Sequence, residues 1–286
     1  MKMKWPNPHF KMTDLPPVPA MAARISELID DPTTTLDDLQ EAIMLDQALS
    51  GRTLKIANSA FYNVRRTIST ISEAISMMGL NTLRIITLAV FTRDAFKKFG
   101  TIEQSMWEHS LGVSVAAGIL AGETPLLKKE EAFIAGLLHD VGKVIMDNTG
   151  PEKIVVLLQR VHEERRTFAS LDLEIFGYTH SEMGFYLAEH WGFPPHLCTV
   201  IRDHHSTGFL ADSHPDLYQK ALCQTVALSD ALCARLGIGY REAMPDLDLH
   251  EEQWREALRI DKSKYADLID IFKETYLQEK ISFLDF

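Results

Sequence analysis

Apolar residues recur at helical spacing along almost the whole chain, and this pattern constrains the fold more than any other feature. The segment from Ser69 to Met78 is typical, because its apolar residues at positions 71, 74, 75 and 78 share one helical face. No segment shows the strict alternation of apolar and polar residues that predicts a half-buried strand. The sequence therefore predicts an all-α fold.

Capping signals and breaks in the apolar pattern set the helix boundaries. Thr35 with Asp38, and Thr179 with Glu182, have the spacing of capping boxes and predict helices that begin directly after each threonine. The predicted helices are approximately 20–30, 36–44, 47–57, 69–78, 82–98, 103–121, 129–147, 151–165, 180–191, 195–205, 215–236, 251–258 and 264–278.

The same signals divide the chain into four parts. Prolines at positions 6 and 8 indicate an irregular N-terminal arm over residues 1–12. The break near Gly100 separates an N-terminal helical subdomain, 13–99, from a helical core, 100–236. The remaining residues, 237–286, are expected to form a C-terminal helical extension, anchored on the core by Trp254 and Phe272.

Composition excludes several classes of protein. A hydrophobic content of 46% permits a large core, and a net charge of -11 argues against non-specific nucleic-acid binding, which needs a basic face. The N-terminus has no apolar run typical of a secretory signal, and the apolar stretch 85–91 is too short to span a membrane. Three cysteines without CxxC spacing fit a reducing compartment. We expect a cytoplasmic protein without membrane contact.

One apolar segment carries adjacent polar residues that require a partner. His139 and Asp140 follow the apolar run 133–138, and Lys143 comes three residues later. Burial of an imidazole and a carboxylate is costly unless they are paired, and one metal ion can pair with both. Because adjacent helical residues point about 100° apart, other helices have to supply the remaining ligands.

Further imidazoles and one carboxylate stand where those ligands could come from. They lie on other predicted helices or at helix ends, and they offer nitrogen and oxygen but no thiolate. Such ligands suit Fe, Mn, Ni or Zn in an open site rather than a closed structural zinc site. The set is large enough for one or two divalent transition-metal ions. The candidate ligands are His109, His139, Asp140, His180, His204, His205 and Asp230.

Each candidate also has a plainer interpretation. A single buried histidine is more often a core residue than a ligand, and the His204-His205 doublet could cap a helix C-terminus. The histidines would then be remnants that bind nothing, and Lys143 could be a solvated lysine at a helix end. The joint pattern favours the metal site. The other histidines are interpreted as surface or packing residues: His9, His162, His190, His196, His214 and His250.

The order of these residues resembles the HD superfamily of metal-dependent phosphohydrolases. Segment 139–143, His-Asp-Val-Gly-Lys, is similar to the HDxGK form of its motif, and His109 and Asp230 take the flanking places. The resemblance implies one ion on these residues, with Asp140 bridging to a second.

The second group of histidines resembles the HD-GYP branch of that superfamily, which uses such residues for a second metal. His180 and the His204-His205 doublet take those places. Segment 206–215 lacks the Gly-Tyr-Pro of the branch, which argues against hydrolysis of cyclic di-GMP.

The N-terminal half resembles a narrower family. Leu15–Pro19, Leu54–Tyr62 and Ile71–Leu80 are similar to motifs of the HDOD (HD-related output domain) family, and the resemblance covers about residues 13–235. It implies an HD-domain-like helical bundle with an N-terminal helical subdomain and a regulatory role in bacteria. Members commonly lack the full ligand set, whereas this chain fills every position.

Two functions follow from this resemblance. The first is a bacterial signalling protein that retains an HD-type metal site and contacts a signalling partner. The alternative is an active metal-dependent phosphohydrolase or phosphodiesterase acting on a nucleotide or cyclic dinucleotide. In that case Asp140 and Lys143 are the expected catalytic residues, with Lys143 pairing with a substrate phosphate.

Overall fold

The computed structural model describes residues 15–59, 62, 66–206, 216–240, 242–247 and 251–284. These residues form helices and no strand, which confirms the all-α prediction. The predicted arm, residues 1–12, lies outside the described residues, as do His9, His214 and His250.

Among the described residues, five helices precede the break near residue 100. The Thr35 capping box is present, and residues 71, 74, 75 and 78 are buried on one face as predicted. Helix α5 ends at Asp94, four residues before the predicted end. The five helices pack mainly on one another. They are α1 (Ala20–Asp30), α2 (Leu36–Met44), α3 (Gln47–Ala57), α4 (Ile71–Met78) and α5 (Leu80–Asp94).

Eight helices are described in the part of the chain that carries the candidate ligands. The Thr179 capping box opens α11 as predicted. They are α6 (Thr101–Gly122), α7 (Lys129–Leu138), α8 (Gly142–Thr149), α9 (Pro151–Glu164), α10 (Phe168–Phe176), α11 (His180–His190), α12 (Pro195–Asp203) and α13 (Leu217–Leu236).

The pairing of α6 with α7 depends on a glycine. A Cβ atom at Gly136 of α7 would lie 2.8 Å from the Cα atom of Ser114 on α6, so no larger residue fits between the two backbones. This close approach brings His109 of α6 next to His139 at the end of α7, with ring centroids 5.5 Å apart.

The prediction of one helix over 129–147 is wrong, because the chain turns at residues 139–141 between α7 and α8. Gly142 begins α8 directly against the first turn of α11. A Cβ atom there would overlap the carbonyl oxygen of His180 and lie 2.5 Å from the backbone nitrogen of Gly184. The turn therefore holds His139 and Asp140 beside α11.

Helix α10 was not predicted. Its nine residues begin after Thr167 and end at Phe176. Gly177 follows the helix with a left-handed φ of 80°, a conformation that favours glycine at a helix C-terminus. The helix places two buried side chains, Phe168 and Asp172, next to the candidate site.

Two more helices, α14 (Glu251–Leu258) and α15 (Lys262–Leu284), follow the core. Trp254 and Phe272 are 9% and 1% exposed, which confirms their predicted role as anchors. Helix α15 packs on α6, the helix that carries His109. Within the described ranges no single helix is long and apolar enough to cross a membrane; one bent pair, Ile71–Met78 with Thr82–Thr92, reaches that length and composition only jointly.

Candidate metal centre

Two groups of potential ligand atoms share one carboxylate, that of Asp140. In the first group His109, His139 and Asp140 offer atoms that all lie within 4.8 Å of one another. The second group joins Asp140 with His180, His204 and His205 under the same limit. Six of the seven residues singled out from the sequence are therefore brought together.

The first group surrounds the Oδ2 atom of Asp140. That oxygen lies 3.6 Å from Nε2 of His109 and 3.2 Å from Nε2 of His139. The seventh candidate, Asp230 of α13, is outside the mutual groups but borders both. Its Oδ1 atom lies 3.0 Å from Nε2 of His109, and its Oδ2 atom lies 3.8 Å from Nδ1 of His205.

The second group surrounds the other oxygen of Asp140. Oδ1 lies 3.2 Å from Nε2 of His180 and 3.9 Å from Nε2 of His204. Nε2 of His180 is in turn 3.4 Å from Nε2 of His204 and 3.1 Å from Nε2 of His205. The two carboxylate oxygens thus face different sets of imidazoles, as a bridging ligand would.

The second ring nitrogen of four histidines is occupied by an acceptor. Nδ1 of His109 lies 3.2 Å from the carbonyl oxygen of Ile238, that of His139 lies 2.7 Å from Gly136 O, and that of His204 lies 2.9 Å from Ile201 O. Nδ1 of His180 donates to the Asp172 carboxylate at 2.6 Å. Because carbonyl and carboxylate oxygens only accept, each Nδ1 carries the hydrogen and each Nε2 offers a lone pair to the centre.

A metal ion fits these residues. Nε2 of His109, Nε2 of His139 and Oδ1 of Asp140 are buried and have no partner with hydrogen-bond geometry among the described residues. Ligands about 2.1 Å from one ion are separated from each other by about 3.0 to 3.5 Å. The distances of 3.2 Å from Asp140 to His139 and to His180, and of 3.4 and 3.1 Å from His180 to His204 and to His205, fall in this range. The donor set and its unsatisfied atoms are those of a cation site.

The charges and the burial around the centre favour the protonation states that metal binding requires. Burial works against the charge of Asp140, but His139 and Lys143 outweigh it and hold the pKa of this carboxyl well below its usual range. Burial lowers the pKa of His109 and, together with the neighbouring imidazoles, keeps that of His204 well below its ordinary value. An ionised carboxylate beside neutral imidazoles, as at Asp140, His109 and His204, is the state that divalent cations bind.

Lys143 is buried, with 3% exposure, so its interpretation as a solvated lysine is wrong. Its ammonium group contacts Oδ2 of Asp140 and donates to the hydroxyl of Tyr240 at 3.0 Å. It also lies over the rings of Phe168 and Tyr240, 4.3 and 4.5 Å from their centroids. Burial works against this charge, but the contact with Asp140 outweighs it and raises the pKa of Lys143.

Sequence reasoning missed two residues of the site. Asp172 is fully buried and accepts hydrogen bonds from both the backbone nitrogen and Nδ1 of His180. A lone aspartate between Leu171 and Leu173 was a signal in the sequence. Tyr240, whose ring centroid lies 5.1 Å from that of His109, offered no such signal.

The described histidines outside the site lie at or near the surface. His162 is 59% exposed on its side chain and pairs loosely with Glu242, and His196 lies 3.7 Å from Glu131. His190 is half-buried at the end of α11.

A cavity of about 380 Å³ opens beside the centre. Lys143, His204, His205 and Asp230 contribute to its wall, and so does Trp254 of α14. The centre is therefore reached by a space of the size that small ligands occupy, about 300 to 1,000 Å³.

More than half of the chain matches one known domain. Residues 15–207 match the HDOD domain. The chain belongs to the HDOD family. The match ends before Asp230 and Tyr240, so part of the HDOD protein's centre comes from residues beyond it.

Relatives of this HDOD protein share its sequence over different extents. A protein of Treponema pallidum described as uncharacterised is 27% identical over 223 residues, which make up 77% of this chain and 42% of that one. Ribonuclease Y of Thermus thermophilus is 30% identical over 143 residues, 50% of this chain and 19% of the enzyme. The chain thus spans less than half the length of both.

A crystal structure of an HDOD domain protein from Geobacter sulfurreducens has the same fold. It matches with a TM-score of 0.64 and 29% identity, over 91% of this chain and 93% of that one.

Proposed function

We propose that this chain is a bacterial HDOD signalling protein that holds one or two divalent transition-metal ions. The observation that carries the proposal is the sharing of Asp140 between two groups of imidazoles. His109, His139, Asp140 and Asp230 would hold the first ion. The second would be held by Asp140, His180, His204 and His205.

The chemistry of the ligands narrows the choice of metal ion. Nitrogen and carboxylate ligands without thiolate favour Fe, Mn, Ni or Zn. All three cysteines are buried and lie outside both groups. When bound, such ions supply Lewis acidity toward phosphoester oxygens.

A regulatory role is supported by family membership and by the bacterial origin of the relatives. In this proposal the helices of residues 13–99 contact a signalling partner, and the part that holds the metal, 100–236, senses or carries the signal. Pull-down with the full chain tests the role, and a partner that binds metal-loaded protein more tightly than chelated protein supports it.

A metal-dependent phosphohydrolase is the second candidate, and the cavity at the centre favours it. His204, His205, Asp230 and the buried Lys143 all contribute to the lining of this space. Lys143 would attract a phosphate and hold the Asp140 carboxylate in position. The 30% identity to part of ribonuclease Y adds support for a phosphoester ligand.

One experiment separates the two candidates. Protein loaded with Mn²⁺ or Fe²⁺ is incubated with nucleotides, cyclic dinucleotides and short RNA, and products are separated by chromatography. Turnover that disappears in His139→Ala supports the phosphohydrolase. Metal-loaded protein that is inert toward every substrate contradicts it and leaves the regulatory role.

A further inference from the structure

We propose that the cavity beside the centre selects a small phosphoester whose organic part is a flat ring, and that the α13 alanines and Trp254 make this selection. The inference rests on the proposed metal centre. It adds the chemical class of the ligand and the residues that recognise it, which lie beyond the HDOD match at residue 207.

The first observation is that the cavity lining combines two kinds of side chain. The polar kind comprises the candidate ligands His204, His205 and Asp230 together with Lys143, the only Lys or Arg among the described lining residues. Without metal, the carboxylates of Asp140 and Asp230 outweigh this single positive charge. Two divalent ions would reverse the sign, so an anion such as phosphate fits beside these residues once metal is bound.

The other kind is apolar and aromatic. Trp254, Phe168 and Tyr240 contribute rings to the wall, and Leu247 adds an aliphatic side chain. Phe168 and Tyr240 also contact the Lys143 ammonium group, so the two kinds of side chain adjoin each other. Aromatic side chains prefer flat apolar partners, which they contact through ring faces and edges. A bare sugar phosphate has no such surface and would leave this wall without a partner.

The room in the cavity comes from one face of α13. Ala227, Asp230, Ala231 and Ala234 recur at helical spacing and all line the cavity. The helix thus presents one candidate metal ligand among three residues that are too small to fill the adjoining space. A larger side chain at position 227 or 231 would occupy the space without replacing a metal ligand.

The size of the cavity suits a small ligand. A volume of about 380 Å³ lies within the range of small-molecule sites, about 300 to 1,000 Å³, and has room for a ligand of the size of one nucleotide.

Isothermal titration calorimetry on the full chain, loaded with Mn²⁺, tests this inference. The probes are AMP, 4-nitrophenyl phosphate, ribose 5-phosphate and inorganic phosphate, and chromatography checks that each remains intact. We expect AMP or 4-nitrophenyl phosphate to bind at least tenfold more tightly than ribose 5-phosphate. Tighter binding of AMP identifies a nucleotide as the ligand, and tighter binding of 4-nitrophenyl phosphate identifies a different ring phosphate.

Ala231→Leu is the diagnostic variant, because Ala231 is half-buried in the wall and is not a candidate ligand. We expect wild-type metal content and at least a tenfold loss of affinity for the ring phosphates. Ala227→Leu, one helical turn earlier, should show the same loss of affinity. It replaces Ala231→Leu in the test if that variant folds poorly. Ala266→Leu, on the exposed face of α15, is the matched control and should bind as the wild type does.

Two results would overturn the inference while leaving the metal centre intact. One is a preference of less than tenfold for ring phosphates over ribose 5-phosphate. The other is wild-type affinity in well-folded Ala231→Leu and Ala227→Leu. A wild-type chain that takes up no Mn²⁺ would instead contradict the proposed function on which the inference rests.

Discussion

The imidazole of His180 donates through Nδ1 to the carboxylate of Asp172 at 2.6 Å, and both side chains are fully buried. The same carboxylate accepts the backbone N–H of His180, so it fixes both the ring and the start of α11. Burial works against a charged His180, but Asp140 and Asp172 outweigh it and raise its pKa. Asp172 therefore orients a candidate ligand and increases the basicity of its free nitrogen.

Asp172→Asn should weaken metal binding without removing a ligand. The variant keeps the shape of the side chain but loses the charge that orients His180, and loss of such partners costs about 10- to 100-fold in metal affinity. Competition with a metal-sensitive dye measures the change. Glu174→Gln on the exposed side of the same helix is the control, and equal affinities in both variants would show that Asp172 has no such role.

Gly142→Ala should disturb the centre through the backbone. The added Cβ would overlap the His180 carbonyl oxygen, so α8 and α11 have to separate. Overpacking of this kind costs about 1 to 3 kcal/mol, and the shift should lower metal content as well. Thermal unfolding and elemental analysis measure the two effects.

Gly51→Ala is the matched control for that variant. Gly51 lies inside α3, and the space that an added methyl group would occupy there is open. Alanine at this position should raise the free energy of unfolding by about 0.5 to 1 kcal/mol through its higher helix propensity. If Gly142→Ala and Gly51→Ala were equally stable, the close backbone contact would not explain why residue 142 is a glycine.

Lys143→Met should destabilise the metal-free protein more than the metal-loaded one. The ammonium group balances the buried carboxylate of Asp140, and loss of one partner of a buried pair costs about 3 kcal/mol or more. Bound metal would balance the same carboxylate, so the rise in Tm on adding Mn²⁺ should be larger in the variant. Equal destabilisation with and without metal would contradict this account.

The carboxyl group of Asp147, in α8, should make the free energy of unfolding depend on pH. Burial, with Glu103 nearby, raises the pKa of its carboxyl to about 6 from 3.8. The folded state therefore favours the neutral acid, and stability falls as pH rises from about 4 through 6. Asp147→Asn should be more stable than the wild type at pH 7.5, by about 1 kcal/mol after allowance for solvent screening.

Chemical unfolding at several pH values tests that prediction. The advantage of Asp147→Asn should shrink as pH falls below 6 and vanish near 3.8, where the acid is neutral in both states. Asp267→Asn, on the exposed face of α15, should differ from the wild type by less than about 0.5 kcal/mol. An advantage that does not change with pH would show that the charge of Asp147 is not its cause.

Most helices could be predicted from the sequence because capping boxes and apolar spacing depend on residues that are close together in the chain. The Thr35 and Thr179 capping boxes form as expected, since both partners lie within one turn. The turn at residues 139–141 could not be predicted in this way. It depends on the contact of Gly142 with α11, which is distant in the sequence.

The candidate ligands were accessible from the sequence because polar residues in apolar helices are conspicuous. The division of these ligands between the two oxygens of Asp140 could not be predicted from the sequence, since it depends on how four helices meet. Tyr240 illustrates the same limit: its contact with Lys143 spans 97 residues and follows from the packing of a loop after α13.

The metal content of the full chain, purified without chelator, tests the central claim most directly. Elemental analysis should find one or two Fe, Mn, Ni or Zn ions per chain. Asp140→Ala should lose all of them, because both ligand groups use this carboxylate, whereas Glu174→Gln should lose none. A wild-type chain without transition metal, or an Asp140→Ala variant with full metal content, would contradict the account.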